Sequence, residues 1–209
     1  MRKVIMMAMF IATCASFAMA QGGTATTYNR GEFGVLYNAN WVDDDGAFNN
    51  SGDDRSRFDG FEVNGGYNFS RYFGVQGAVS HNWKNTTLAG VASTKVEGRL
   101  TQVMGGFKVQ DNSTETVVKP YARALFGVGR ASVDVTSTVA GVSGSDDDTG
   151  FASVLGGGLD FRLSKHVDLT TSLDYNPVRL RGDLPGDSDE FTHNLRAGVG
   201  IKFRFGGKD

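Results

Sequence analysis

The chain has 209 residues, and 29 of them are glycine, about twice the usual ~7% share. Three prolines and one cysteine exclude collagen-like, Pro-rich disordered and disulfide-framework chains. Charge is near balance, with 21 basic and 23 acidic residues, and a single long apolar run excludes a bundle of membrane helices.

That apolar run opens the chain. Arg2 and Lys3 precede a stretch from Val4 to Phe17 broken only by Thr13, Cys14 and Ser16. Ala18-Met19-Ala20 then places small residues at −3 and −1 before Gln21. Residues 1–20 read as a secretory signal peptide cleaved at Ala20/Gln21. Cleavage removes Arg2, Lys3 and Cys14, leaving 189 residues with 19 basic and 23 acidic groups and no cysteine. A chain of that size reads as one domain, and no basic patch invites nucleic acid.

The rest alternates with period two, the signature of strands. In 31–41, Phe33, Val35, Tyr37, Ala39 and Trp41 oppose Glu32, Gly34, Asn38 and Asn40. In 61–69, Phe61, Val63, Tyr67 and Phe69 oppose Glu62, Asn64 and Asn68. In 73–83, Phe73, Val75, Val79, His81 and Trp83 oppose Gln76, Ser80 and Asn82. In 101–109, Val103, Phe107 and Val109 oppose Gln102 and Lys108. The phase shifts in 120–130, where Ala122, Ala124, Phe126 and Val128 oppose Tyr121, Arg123 and Leu125. In 151–163, Phe151, Leu155, Leu159 and Phe161 oppose Ala152, Asp160 and Arg162. In 167–175, Leu169, Thr171, Leu173 and Tyr175 oppose Asp168, Thr170 and Asp174. In 191–205, Leu195, Val199, Ile201, Phe203 and Phe205 oppose Arg196, Lys202 and Arg204.

These eight segments are joined alternately by short connections (70–72, 110–116, 164–166) and long ones (43–57, 84–95, 132–149, 177–190). The polar face carries charges at strand centres among many glycines, which suits a narrow interior better than a wet sheet surface. Aromatics at both ends of the apolar face, as in Phe73 and Trp83 or Phe151 and Phe161, lie ten residues apart. At ~3.3 Å per residue and ~40° of tilt they stand about 25 Å apart, the height of a lipid-facing band with two aromatic girdles. The pattern predicts an all-β, eight-stranded, antiparallel up-and-down transmembrane barrel over 31–209. Residues 21–30 form a periplasmic lead, with both ends of the barrel chain periplasmic.

At this point the chain resembles the small OmpA-like outer-membrane β-barrels. The resemblance rests on the signal peptide, the eight segments, the Gly-Gly-Gly-Leu-Asp-Phe-Arg-Leu stretch at 156–163, and a last segment alternating up to Phe205. That last segment resembles the C-terminal signal read by the outer-membrane assembly machinery, although Gly206-Gly207-Lys208-Asp209 follows the Phe. The resemblance implies outer-membrane lipids and lipopolysaccharide as surroundings. With four residues after Phe205, no peptidoglycan-binding domain is expected, and no surface ligand is named by the sequence.

An eight-stranded barrel is just filled by its inward side chains, and buried charges there need partners. The inward set reads as balanced: Glu32, Glu62, Asp160, Asp168 and Asp174 against Lys108, Arg123, Arg162, Arg196 and Lys202. Depth along the strands predicts the pairs Arg123–Asp160, Arg162–Asp168, Asp174–Arg196 and Lys202–Glu32. The predicted girdle is Phe33, Trp41, Phe73, Trp83, Phe151, Phe161, Phe203 and Phe205.

The long connections collect acid: Asp43, Asp44, Asp45, Asp53 and Asp54, then Asp146, Asp147 and Asp148, then Asp183, Asp187, Asp189 and Glu190. They read as solvated loop surface, since Asp43-Asp44-Asp45-Gly46 lacks EF-hand spacing. Segments 86–96 and 132–143 read as hairpins projecting beyond the membrane. His81 and His193 have no Ser or carboxylate two positions away on their own strands and His166 falls in a turn, so no catalytic residue, cofactor site or metal site is predicted. The leading functional expectation is a structural or surface-interaction barrel. A narrow conduit for solutes or ions and a lipid-modifying enzyme are the alternatives.

Overall fold

The computed structural model describes residues 27–43, 55–88, 94–137, 143–179 and 191–207. The proposed signal peptide and the acidic residues Asp44, Asp45, Asp53, Asp54, Asp183, Asp187, Asp189 and Glu190 lie outside the described residues. Eight strands follow in order: β1 (Gly31–Asp43), β2 (Arg55–Asn68), β3 (Phe73–Leu88), β4 (Thr94–Gln110), β5 (Val118–Ser137), β6 (Ser143–Arg162), β7 (Val167–Arg179) and β8 (Phe191–Phe205). Each pairs antiparallel with its neighbour, and β8 returns to β1 to close the barrel. Closure removes the exposed edges that an open sheet would carry.

Parity sorts the side chains. On β2 and β3, buried residues alternate with exposed or half-exposed ones, and Phe61, Tyr67, Phe73, Val75 and Val79 face outward. Outward apolar side chains would be a liability in water; around a barrel they suit lipid. The residues predicted for the girdle fall at two levels. Phe33, Phe73, Phe161, Phe203 and Phe205 lie near the strand ends joined by short turns, and Trp41, Trp83 and Phe151 lie toward the long connections. Trp41 and Phe161 are half-buried rather than fully exposed.

Several strands run farther than the period-two pattern predicts. β2 begins at Arg55 rather than 61, and β5 and β6 continue as a hairpin to Ser137 and Ser143. The long connection over 132–149, where a hairpin is expected over 132–143, is strand up to Ser137 and from Ser143, and Asp146, Asp147 and Asp148, expected on solvated loop surface, stand on β6 opposite Val133, Ser132 and Ala131. Beyond the lipid band both faces of a hairpin meet water, so alternation has no cause there.

The connection between β4 and β5 is more than a turn. Asp111, Asn112 and Ser113 are buried. The segment pairs with the chain leading into β1: Asn29 N–H donates to Asn112 O (3.2 Å), and Thr114 N–H donates to Thr27 O (3.3 Å). Asn112 N–H also donates to Arg71 O in the β2–β3 turn (2.9 Å). Together these segments tie the lead to the short-turn end of the barrel.

An ion pair holds this base. Arg71 Nε and Nη2 donate to the two oxygens of Asp111 at 3.0 and 3.1 Å, and Ser113 N–H donates to Asp111 Oδ1 at 3.1 Å. Burial works against the Asp111 carboxylate, but Arg71 and Ser113 outweigh it and hold its pKa below the ordinary value. A carboxyl depressed in the folded state contributes stability above its unfolded pKa of about 3.9, lost as pH falls through the folded value. Nuclear magnetic resonance of the refolded barrel should show the Ser113 amide resonance constant at neutral pH and shifting only below about pH 4. A midpoint at or above the ordinary carboxylate value would refute the pairing.

Candidate functional site

The barrel interior is where the charged residues converge, and it is layered. Midway along the strands, Arg123 on β5 and Arg196 on β8 alternate with Glu62 on β2 and Asp174 on β7. Arg123 reaches Glu62 through Nη1 at 2.6 Å and Nη2 at 3.2 Å, and reaches Asp174 through Nε at 3.1 Å and Nη2 at 2.7 Å. Arg196 Nη2 reaches Glu62 Oε2 at 2.8 Å and Asp174 Oδ2 at 3.3 Å. Asn64 Nδ2 adds a hydrogen bond to Glu62 Oε1 at 2.9 Å. The quartet is neutral, and each of its side chains is at most 1% exposed.

On the long-connection side of the quartet, Ala78, Met104, Leu125, Ala152, Val154 and Val178 form a buried apolar cluster. Gln102 and Asn176 reach across from β4 and β7 and bond amide to amide, 3.0 Å in each direction. Ser80 donates to the same Gln102 oxygen at 3.1 Å.

On the base side, Asp160 is a hub. Its Oδ2 accepts from Lys202 Nζ, Arg204 Nη2 and Gln110 Nε2, each at 2.7 Å. Lys108 pairs with Glu32 and donates to Gln110 Oε1 at 3.0 Å, while Arg204 pairs with Asp168. Lys202 also stands 4.6 Å from the centroid of the Tyr121 ring.

Of the predicted pairs, the structure brings together Asp174 and Arg196. Arg123 does not meet Asp160, because the stagger of β5 on β6 sets Arg123 opposite Gly156 and Lys119 opposite Asp160. Arg162 and Asp168 are opposite in register, yet Asp168 turns to Arg204 and Arg162 Nη2 donates to Ser113 O at 3.3 Å. Lys202 does not meet Glu32: β8 on β1 sets Lys202 opposite Gly34 and Glu32 opposite Arg204.

The balanced tally also needs correction. Lys119 and Arg204 are buried inward as well. Arg204 continues the inward parity of Arg196 and Lys202, so the pattern already holds its signal. Lys119 was hidden because Pro120 looked like the start of its strand, although the inward parity of Tyr121 and Arg123 runs back through it.

Two histidines face outward. His81 Nδ1 lies 2.8 Å from Thr101 Oγ1 across the β3–β4 ladder, beside the rings of Phe61 and Trp83. His193 bonds Tyr175. A hydroxyl thus does neighbour His81, across strands rather than along one, where the sequence pattern alone did not show it. Outward ion pairs begin level with Trp41 and Trp83, where Arg57 stands opposite Trp41 and Arg99 opposite Trp83: Arg57 with Asp59 (2.8 Å), Arg99 with Glu97 (2.9 Å) and Asp134 (3.2 Å), and Arg130 with Asp147 (2.5 Å).

The sequence profile described as outer membrane protein beta-barrel domain matches residues 8–203. Outer membrane protein A of Klebsiella pneumoniae is 28% identical over 170 residues, covering 78% of this chain and 46% of that protein. The chain therefore spans about half the length of that relative. Among solved structures, the attachment invasion locus protein Ail of Yersinia pestis superposes with a TM-score of 0.58 at 20% identity, covering 85% of this chain and 99% of Ail. A second Ail structure, in complex with the heparin analogue sucrose octasulfate, gives the same TM-score at 18% identity and the same coverage.

Proposed function

This chain belongs to the outer membrane protein β-barrel domain family, and from that premise we propose that it is a closed barrel with a structural or surface-interaction role. The observation that carries the reading is the layered interior. The Arg123–Glu62–Arg196–Asp174 quartet and the apolar cluster beside it occupy the cross-section with paired charges and apolar groups. An ion crossing that layer must break buried pairs in a low-dielectric environment, which is costly.

The extended hairpins and their acidic connections are then what the environment meets. The partners of the lipid-facing wall are outer-membrane lipids and lipopolysaccharide. Support comes from the mixed belt of Arg57, Arg99 and Arg130 with their carboxylates, which starts at the level of Trp41 and Trp83 and offers both charges to lipid headgroups. The route is export with cleavage at Ala20/Gln21, followed by assembly through recognition of the Leu195–Phe205 segment.

Planar bilayer recordings of the refolded full chain test the reading. They should show no sustained conductance at moderate voltage. A stable open state would replace this reading with that of a solute or ion conduit.

A further inference from the structure

The two ends of the barrel carry opposite charge. The long connections collect the acidic residues. At the short-turn end, the described residues of the lead, the turns and the β4–β5 connection hold Arg30, Arg71, Arg162 and Lys165 against Asp111 and Glu115. Lys208 and Asp209 lie outside the described residues and cancel in charge. Asp111 is held by Arg71, and the charge of Glu115 also acts on Arg71. Arg162 is half-buried and turns to Ser113 O. The carboxylates at the base of the lumen are engaged as well: Glu32 by Lys108, Asp160 by Lys202, and Asp168 by Arg204. That leaves Arg30 and Lys165, both exposed and without a carboxylate partner among the described residues.

Both border the end of β8. The β6–β7 turn that carries Lys165 is tied to it, since Arg204 N–H donates to His166 O at 2.8 Å. On the other side Gly206, at a φ of 75°, sets the chain against Arg30; a Cβ on Gly206 would stand 3.4 Å from that of Arg30. With one strand between them, the two flanks are about two strand spacings, roughly 10 Å, apart. The outward surface beside them is apolar. Leu163, Phe203 and Phe205 are exposed there. The Phe205 ring lies over Gly31, where an added Cβ would stand 2.0 Å from Cε2. Unpaired cations at the rim of a lipid-facing aromatic surface complement a ligand with an anionic head and apolar chains.

We propose that the end of β8, flanked by Arg30 and Lys165, binds an anionic glycerophospholipid of the inner leaflet. Its phosphate lies between the two cations and its acyl chains lie on Leu163, Phe203 and Phe205. The site rests on the reading of the short turns as periplasmic. Lipopolysaccharide belongs to the other leaflet, a membrane thickness away.

The test is a titration of the refolded full chain in zwitterionic micelles, followed by its amide resonances. Dihexanoyl-phosphatidylglycerol should shift those of Lys165, His166 and Gly206. Dihexanoyl-phosphatidylcholine and inorganic phosphate at equal concentration should not. Arg30→Gln and Lys165→Gln should each weaken the affinity roughly fivefold, the worth of one Lys or Arg beside an anionic membrane surface. Arg57→Gln, at the opposite end, should leave it unchanged. Heat-dependent gel mobility confirms that each variant folds. Equal shifts with phosphatidylcholine would mean acyl-chain partitioning alone, and equal shifts with inorganic phosphate a simple anion site; either overturns the proposal. An affinity unchanged in both Arg30→Gln and Lys165→Gln, or weakened as much by Arg57→Gln, overturns it too. A chain that folds as a barrel and shows no preference for phosphatidylglycerol refutes the lipid site alone.

Discussion

Replacing Arg123 with methionine should destabilise the folded barrel by about 3–5 kcal/mol, the cost of leaving buried carboxylates without their cation. Arg123 makes four of the quartet's guanidinium–carboxylate contacts and satisfies both Glu62 and Asp174. Without it, both carboxylates depend on Arg196, which reaches each of them through a single nitrogen. Arg196→Met should cost less, because Arg123 still bridges both acids. The measurement is equilibrium unfolding of the barrel in lipid vesicles, followed by the fluorescence of Trp41 and Trp83.

The double variant separates lost attraction from stranded charge. Arg123→Met with Glu62→Gln leaves Asp174 and Arg196 as one neutral pair, so much of the loss should return. The two changes should therefore be strongly non-additive, as expected for members of one network. If Arg123→Met costs under about 1 kcal/mol, like an exposed ion pair, water reaches the quartet and the lumen is not closed there.

The architecture was legible in the sequence because lipid on one side and a packed interior on the other impose period two on every strand in the bilayer. That rule placed Glu62, Arg123, Asp174 and Arg196 inward without a coordinate. The partners were not legible, because pairing depends on the stagger between strands and on long side chains crossing the lumen. Arg123 and Glu62 lie on β5 and β2, which share no ladder. The apolar signal on the outward face also stops outside the bilayer. Arg55, Arg57 and Asp59 extend β2 with Ser56 and Phe58 still buried between them, but their outward side chains are charged rather than apolar, and 111–117 looks like an ordinary short connection until its burial is known.

Two groups of glycines predict opposite responses to one added methyl group, although outward-facing Gly157, 2.2 Å from the Tyr121 carbonyl oxygen, sides with the inward ones. A Cβ at inward-facing Gly158 would stand 1.8 Å from the carbonyl oxygen of Thr171, and one at Gly200 would stand 2.1 Å from that of Val35. Neither obstacle is a movable side chain; both are the backbone of the adjacent strand, so alanine there must push strands apart. Outward-facing Gly65, Gly77 and Gly105 lie side by side in register across β2, β3 and β4. At each of them a Cβ would meet nothing nearer than 3.9 Å. Gly77→Ala should therefore be neutral or stabilise the barrel by up to about 1 kcal/mol, through reduced freedom of the unfolded chain. Gly158→Ala should cost about 3 kcal/mol or more, at the upper end of overpacking effects, and should lower the fraction of heat-modifiable barrel on unboiled gels. Equal loss in both variants would mean that the outward row is needed for barrel formation itself. The predicted contrast instead assigns the inward glycines to strand curvature and leaves the outward row free of any requirement from within the chain.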